Sequence, residues 1–445
     1  MYGLTIGDLL LFPIYFFIVF LIFKWLRLKY TDNPVLFKFF TIAFYVKMAF
    51  MIIYTLLVCY VIFGDSVTLF FQQGKHFLNI IATDPSNIDL LFTKGGKLTD
   101  NLAEDSYKGY LAIESNYIVV KLSIFLCFFT FSKYLLINLI CAFIAFLGSW
   151  QLFMFFYKLY PAVDKYLAFA CLGIPMVLFW TSGISKDTIC LASLGFLTKS
   201  LFDLFTTGRR RFTNLLLVII SLYLIYSIKS YIIISYLPVY LFFLIFYSIG
   251  RTNNTLLKLI FKFTIPVTIL LTILYIVNNT ETLFTDFSSE KLLESVSSTQ
   301  SAFTKQANTT DGAFFTLDEF DGSMGGLLRQ APMAIGTTFF RPFLWECKNI
   351  IMFLSSLEGL ILLLIILRLF LSKKGISILF KSFFTDSLIF FCIFFALVFA
   401  LFVGISSFNF GSLVRYKVPC IPFFGAALAI MYYKAGLLKT VSDKS

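Results

Sequence analysis

The chain has 445 residues, of which 59% are hydrophobic and only 13% charged, and its formal net charge is +12. Soluble domains carry about 25% charged residues, so this composition excludes a water-soluble globular protein and implies a polytopic membrane protein. Much of the basic excess sits in short loops between apolar runs, where it reports topology; with no soluble basic domain, nucleic-acid binding is excluded too.

The first apolar run, Leu9 to Leu26, has its basic residues at its end and beyond (Lys24, Arg27, Lys29, Lys38). That order predicts a retained span with an external N-terminus and no cleavable signal. The second run, Phe40 to Phe63, returns outward and carries Lys47 within it, a charge that must snorkel or find a partner. It ends at Ile62-Phe63-Gly64-Asp65-Ser66, which places a carboxylate where the helix leaves the hydrocarbon. Asp65 is read either as a solvated helix end or as the general base of a membrane-embedded site.

Residues 64–134 are predicted to form an external loop, acidic through Asp84, Asp89, Asp100, Glu104, Asp105 and Glu114. Inside it, the short run Tyr117 to Phe131, interrupted by Lys121, predicts a helix lying in the outer interface. Counting it as a span would put Arg209-Arg210-Arg211 outside, against the positive-inside bias. Further spans are predicted over Leu135 to Phe156, Leu167 to Trp180 and Thr188 to Phe205, with Thr181 to Asp187 as an external turn. Leu215 to Ile228 goes out, Lys229-Ser230-Tyr231 turns, and Ile232 to Ile249 comes back.

Phe263 to Val277 then exits into residues 278–349, rich in Ser, Thr and Gly and acidic at Asp311, Asp318, Glu319 and Asp321. This composition predicts a large external loop with little core of its own. Ile350 to Phe370, Leu388 to Gly404 and Pro419 to Tyr433 complete the set. The expected architecture is all-α: one transmembrane domain over residues 1–445, about eleven spans, and a cytoplasmic C-terminus. No internal repeat is visible.

The eight cysteines lie mostly inside apolar segments and form no CxxC pair, so neither a disulfide framework nor a zinc site is indicated. His76 is the single histidine and is read as a loop residue. The informative charges all fall at predicted outer span ends: Asp65, Lys186, Asp187, Lys229, Arg341, Glu346, Arg415 and Lys417. Clustered outer cations call for a ligand or an ion-pair partner, and phosphate suits Arg and Lys. Glu346 is read as a second carboxylate or, in preference, as an ion-pair partner for Arg341. No carboxylate spacing demands a metal, and no other cofactor is indicated.

The order of these parts resembles the GT-C superfamily of integral-membrane glycosyltransferases, which take sugars from polyprenyl-phosphate carriers. Gly64-Asp65 followed by the 117–131 run is similar to that family's acidic external loop and interfacial helix. Pro175 to Trp180 leading to Lys186-Asp187, and Ile228-Lys229-Ser230-Tyr231, match its external turns. Arg415-Tyr416-Lys417-Val418-Pro419-Cys420-Ile421-Pro422 is similar to its late Arg-Tyr-x-x-Pro-x-x-Pro element. Asp65 is followed by Ser66, where some members have an Asp-Glu pair.

The resemblance implies a GT-C-like fold with Asp65 as base and Lys186, Lys229, Arg341, Arg415 and Lys417 as donor-phosphate ligands. It implies a polyprenyl-phosphate-linked sugar as donor, a glycan, lipid or protein acceptor, and a bacterial inner membrane with chemistry on its periplasmic face. The alternatives are a polysaccharide polymerase or ligase using lipid-diphosphate donors, and a transporter or flippase of lipid-linked sugars.

Overall fold

The computed structural model of the protein describes residues 3–95, 107–208, 210–250, 324–372, 375–407 and 409–438. The regular elements among the described residues are all helices. Seven of them are long and apolar enough to cross a membrane, or eight if one bent pair is counted as a single span. The protein is therefore a multi-pass helical membrane protein. The expected span at 263–277, the Arg209 and Lys373-Lys374 markers, and Asp100, Glu104, Asp105, Asp311, Asp318, Glu319 and Asp321 lie outside the described residues.

The chain divides into two compact units, one of Met1–Leu159 with Cys171–Ile233 and one of Tyr160–Ala170 with Ile234–Ser445. The first unit opens with α1 (Ile6–Arg27), whose first turn is closed by a capping box between Thr5 and Asp8. α2 (Pro34–Leu57) starts at an Asn33 cap with Pro in its first turn, where a missing N–H costs nothing. Next come the short α3 (Gln72–Thr83), α4 (Lys108–Ala112) and α5 (Glu114–Phe129), followed by α6 (Tyr134–Leu159).

α5 has 16 residues, about 24 Å of helix, which falls short of a hydrocarbon core of about 30 Å. It packs on α3, where Gly74 meets Ser123 so closely that a Cβ would not fit. Lys121, the charge that interrupts the run, lies over the Tyr117 ring and pairs with Glu114 at 3.7 Å.

The expected span at 167–180 is instead two short helices, α7 (Asp164–Leu172) and α8 (Pro175–Trp180). Pro175 holds Ile174 in an extended conformation (φ −72°, ψ 118°), which a helix cannot continue through. α9 (Lys186–Thr206) begins at a Ser185 cap. α10 (Arg211–Gly250) runs for 40 residues, about 60 Å if straight, which is twice the hydrocarbon thickness. Its helix is broken at Lys229 (φ −147°, ψ 74°), the position of the expected turn.

The core of the first unit is the α6–α9 pair. Gly148 of α6 lies against the Ala192 backbone and Gly195 of α9 against the Gly148 carbonyl, with no room for a Cβ at either glycine. Small residues at a helix crossing let backbones approach, which is how spans gain packing energy in lipid. Gly195→Ala is accordingly expected to cost about 1–3 kcal/mol by forcing the two helices apart, seen as a lower melting temperature in detergent. On the other side of α6, Phe23 and Phe44 stack at 3.9 Å between centroids, and the Trp150 indole donates to Tyr30 Oη at 2.7 Å.

The ends of the helices are tied by polar groups. Asp8, 3% exposed, accepts from the Leu135 N–H at 3.1 Å, which joins the starts of α1 and α6. Asn33 Nδ2 donates to Tyr157 Oη at 3.3 Å, so the start of α2 meets the end of α6. The starts of α1 and α6 and the end of α2 therefore share one end of this unit.

In the second unit, α11 (Met324–Phe340) occupies the end of the stretch expected to be loop over 278–349. It packs on α14 (Ser387–Ser406), where Ala334 and Gly404 meet backbone to backbone and Thr338 Oγ1 donates to Ala400 O at 2.7 Å. Ala334 and Thr338, in a stretch whose Gly, Ser and Thr content reads as loop, serve here as a close helix contact. Between them lie α12 (Ile350–Leu371) and α13 (Gly375–Thr385). α15 (Phe410–Tyr416) and α16 (Ile421–Lys434) form the bent pair, with an angle of 62° at their break. Tyr236, Phe391, Phe395 and Phe423 build its aromatic core. Asp386 caps α14 and also accepts from Tyr160 Oη and Lys434 Nζ.

Candidate functional site

The end of α2 departs from regular helix. It continues as a π-helical turn over Val58–Ile62, passes through Phe63 in the left-handed region (φ 48°), and resumes as a second π turn over Ser66–Phe71. π turns concentrate at functional sites, and a left-handed Phe is a strained conformation that surrounding packing must hold. Gly64-Asp65 sits between the two turns, with Asp65 exposed and Ser66 buried. Ser66 Oγ lies 2.8 Å from Tyr134 Oη at the start of α6, which fixes the loop to the bundle.

The α8–α9 turn reaches the same end of the unit. Asn138 of α6 clamps it: its Oδ1 accepts from the Ile184 N–H at 3.1 Å and its Nδ2 donates to Thr55 Oγ1 at 3.0 Å. Gly183 lies under the Tyr54 ring and beside Asn138 Oδ1, in a space that a Cβ would overfill. Ser185 Oγ accepts from the Thr188 N–H at 3.1 Å and starts α9, so the next two residues, Lys186 and Asp187, stand on its first turn.

Asp187 is fully buried and Lys229 is 6% exposed, and Lys229 Nζ donates to Asp187 Oδ1 at 2.6 Å. The break in α10 at Lys229 brings that ammonium to the α9 terminus. Lys186 Nζ donates to Ser115 Oγ at 2.8 Å, at the start of α5. The charges of Lys229, Asp187 and Asp65 all act on Lys186. Two of the sequence-derived candidates, Lys186 and Lys229, thus stand at the α9 start with Asp187, and Asp65 lies near enough for its charge to act on Lys186. The two carboxylates and two ammoniums balance. A phosphate brought here would therefore draw on Lys186 after release from Ser115, or on cations from elsewhere.

The other three candidates belong to the second unit. Arg341 Nε donates to both carboxylate oxygens of Glu346, at 3.1 and 3.2 Å, and the guanidinium also lies 5.0 Å from the centre of the Phe410 ring. Glu346 accepts in addition from the Phe343 N–H at 2.7 Å. Partial burial opposes the Glu346 charge, but the Arg341 guanidinium and the Phe343 N–H outweigh it and hold the carboxyl below its usual range.

A depressed carboxyl stabilises the fold above its unfolded pKa and loses that contribution as pH falls through the folded one. Acidification below about pH 4 is thus expected to remove about 1 kcal/mol. Melting profiles of wild type and Glu346→Gln, compared between neutral and acid pH, check this: the two should converge in acid.

Arg415 ends α15, partly exposed, and Lys417 follows in the break before α16, only 4% exposed and within the field of Glu358 on α12. The Tyr54, Thr55, Tyr134 and Asn138 supports were not singled out from the sequence. Their signal was a few hydrogen-bonding side chains inside apolar runs, with Asn138 the plainest.

Among the described residues no group of three or more His, Cys, Asp or Glu side chains is arranged to hold a metal ion. The chain matches no family model, no curated protein and no solved structure.

Proposed function

We propose that the protein is a membrane glycosyltransferase that moves a sugar from a polyprenyl-phosphate donor to a glycan, lipid or protein acceptor, on the periplasmic face of a bacterial inner membrane. The observation that carries this reading is the gathering of Asp65, Lys186 and the Asp187–Lys229 pair at one end of the first unit. Asp65 is exposed beyond the end of α2 and takes a proton from the acceptor hydroxyl or amine. The acceptor atom bonds to the anomeric carbon as the bond to the carrier phosphate breaks, and the electron pair leaves with the phosphate. Lys186 and Lys229 offset that developing charge. The lipid tail lies between spans.

The test is transfer by the purified protein from a panel of radiolabelled polyprenyl-phosphate sugars. Transfer from one donor supports the reading and identifies the sugar. Transfer only from lipid diphosphates moves the protein to the polymerase or ligase class.

One observation favours a transporter of lipid-linked sugars instead: the bent α15–α16 pair with Lys417 in its break, since broken helices carry substrate sites in transporters. Movement of a lipid-linked sugar across proteoliposomes without any transfer would establish that reading.

A further inference from the structure

Four cations gather at the corner between α1 and α2. Lys24 and Arg27 stand in the last turn of α1, Lys29 in the connection, and Lys38 near the start of α2. The one carboxylate in that stretch is Asp32. Among the described residues, none of the four cationic side chains donates a hydrogen bond or joins an ion pair. The corner meets the end of α6, where Asn33 Nδ2 donates to Tyr157 Oη at 3.3 Å. The carboxylate at that end of α6 is Asp203, already matched by Lys158 and Lys199.

Aromatic rings hold three of these cations. The Arg27 guanidinium lies 4.5 Å from the centre of the Phe37 ring and 5.5 Å from that of Phe23. Lys24 Nζ lies 5.2 Å from the Phe20 ring and Lys29 Nζ 4.9 Å from the Trp25 ring. A ring face attracts a cation but leaves most of its N–H groups in need of acceptors. The corner is also braced: Trp150 Nε1 donates to Tyr30 Oη at 2.7 Å, and Asn33 Oδ1 accepts from the Leu36 N–H at 3.1 Å. Beside the cations, Leu21, Ile22, Trp25 and Leu28 of the same helix end are exposed. A ligand that fits this place has anionic oxygens for the cations and hydrocarbon for the helix face. A free phosphate or an acidic peptide would use the cations and leave the apolar face empty.

We infer that the α1–α2 corner binds an anionic phospholipid, whose phosphate accepts from Lys24, Arg27 and Lys29 while its acyl chains lie along α1. Lys38 adds to the field that draws the headgroup in. The corner is at the opposite end of α2 from Asp65, about 36 Å of helix away. This lipid therefore takes no part in the proposed transfer, and the site stands independently of that activity. The lipid pins the first two helices at their membrane boundary.

The experiment is thermal melting of the purified full-length protein in neutral detergent, with added phosphatidylglycerol or phosphatidylcholine of the same acyl chains. Phosphatidylglycerol is expected to raise the midpoint above that in phosphatidylcholine by on the order of a few degrees. The difference is expected to vanish in the double variant Lys24→Gln, Lys29→Gln, whose exposed side chains make no hydrogen bond or ion pair that folding would lose. It is expected to persist in Lys75→Gln, Lys94→Gln, which removes two exposed lysines elsewhere in the first unit. Inorganic phosphate is expected to give no rise. Equal melting in the two lipids overturns the proposal. So does a difference undiminished in the corner variant or equally lost in the Lys75, Lys94 variant, or a full rise with inorganic phosphate alone.

Discussion

Asp65→Asn is expected to lower sugar transfer by about 10²–10⁴-fold, the usual contribution of a positioned general base, while the fold stays intact. Asp65 is exposed between two π turns, so exchanging its carboxylate for an amide changes little packing. What it removes is the proton acceptor and one of the charges acting on Lys186. Rates at saturating donor, measured beside a melting curve, separate chemistry from folding. Full activity in Asp65→Asn would move the base elsewhere and favour a polymerase or ligase that relies on Arg.

Asp187→Asn is expected to destabilise the protein by about 3–5 kcal/mol, because it leaves the Lys229 ammonium buried without its counter-charge. The double variant Asp187→Leu, Lys229→Met removes both charges and is expected to recover most of that loss, since apolar replacement of a buried pair is often neutral. Unfolding measurements on the two single variants and the double variant check this cycle. Transfer activity in the double variant then separates two roles. A pair that only holds the α10 break near α9 leaves a stable, active double variant. A pair that takes part in offsetting phosphate charge leaves a stable but inactive one.

Hydropathy and charge placed α1, α6, α9, α12 and α14 within a few residues of their observed bounds, while α2 starts six residues before its expected Phe40 and leaves the α-helix six residues before its expected Phe63. Those helices are set by local facts, a run of apolar residues and a capping side chain such as Asn33, Ser185, Asn349 or Asp386. The exceptions are instructive. The 167–180 run read as one span because its average is apolar, yet Pro175 breaks it, a steric effect of a single residue that hydropathy averages away. α11 was missed because Gly, Ser and Thr suggest loop, whereas next to a partner helix the small Ala334 and the Thr338 hydroxyl make a close contact.

The sequence by itself determined that this is a helical, multi-pass membrane protein, that Asp65 follows shortly after the second span, and that Lys47 lies within it. It also placed Lys186, Asp187 and Lys229 at the ends of apolar runs. Only the tertiary structure decided which charges meet. Asp187 takes Lys229 across 42 positions of chain, Lys186 takes Ser115, and Lys47 takes the carbonyl of Leu178 in place of a carboxylate. Apolar run length is a local property, fixed by the thickness of the bilayer. The partner of a buried charge is set by which helices pack together and where each one breaks, and no local pattern in the chain records that.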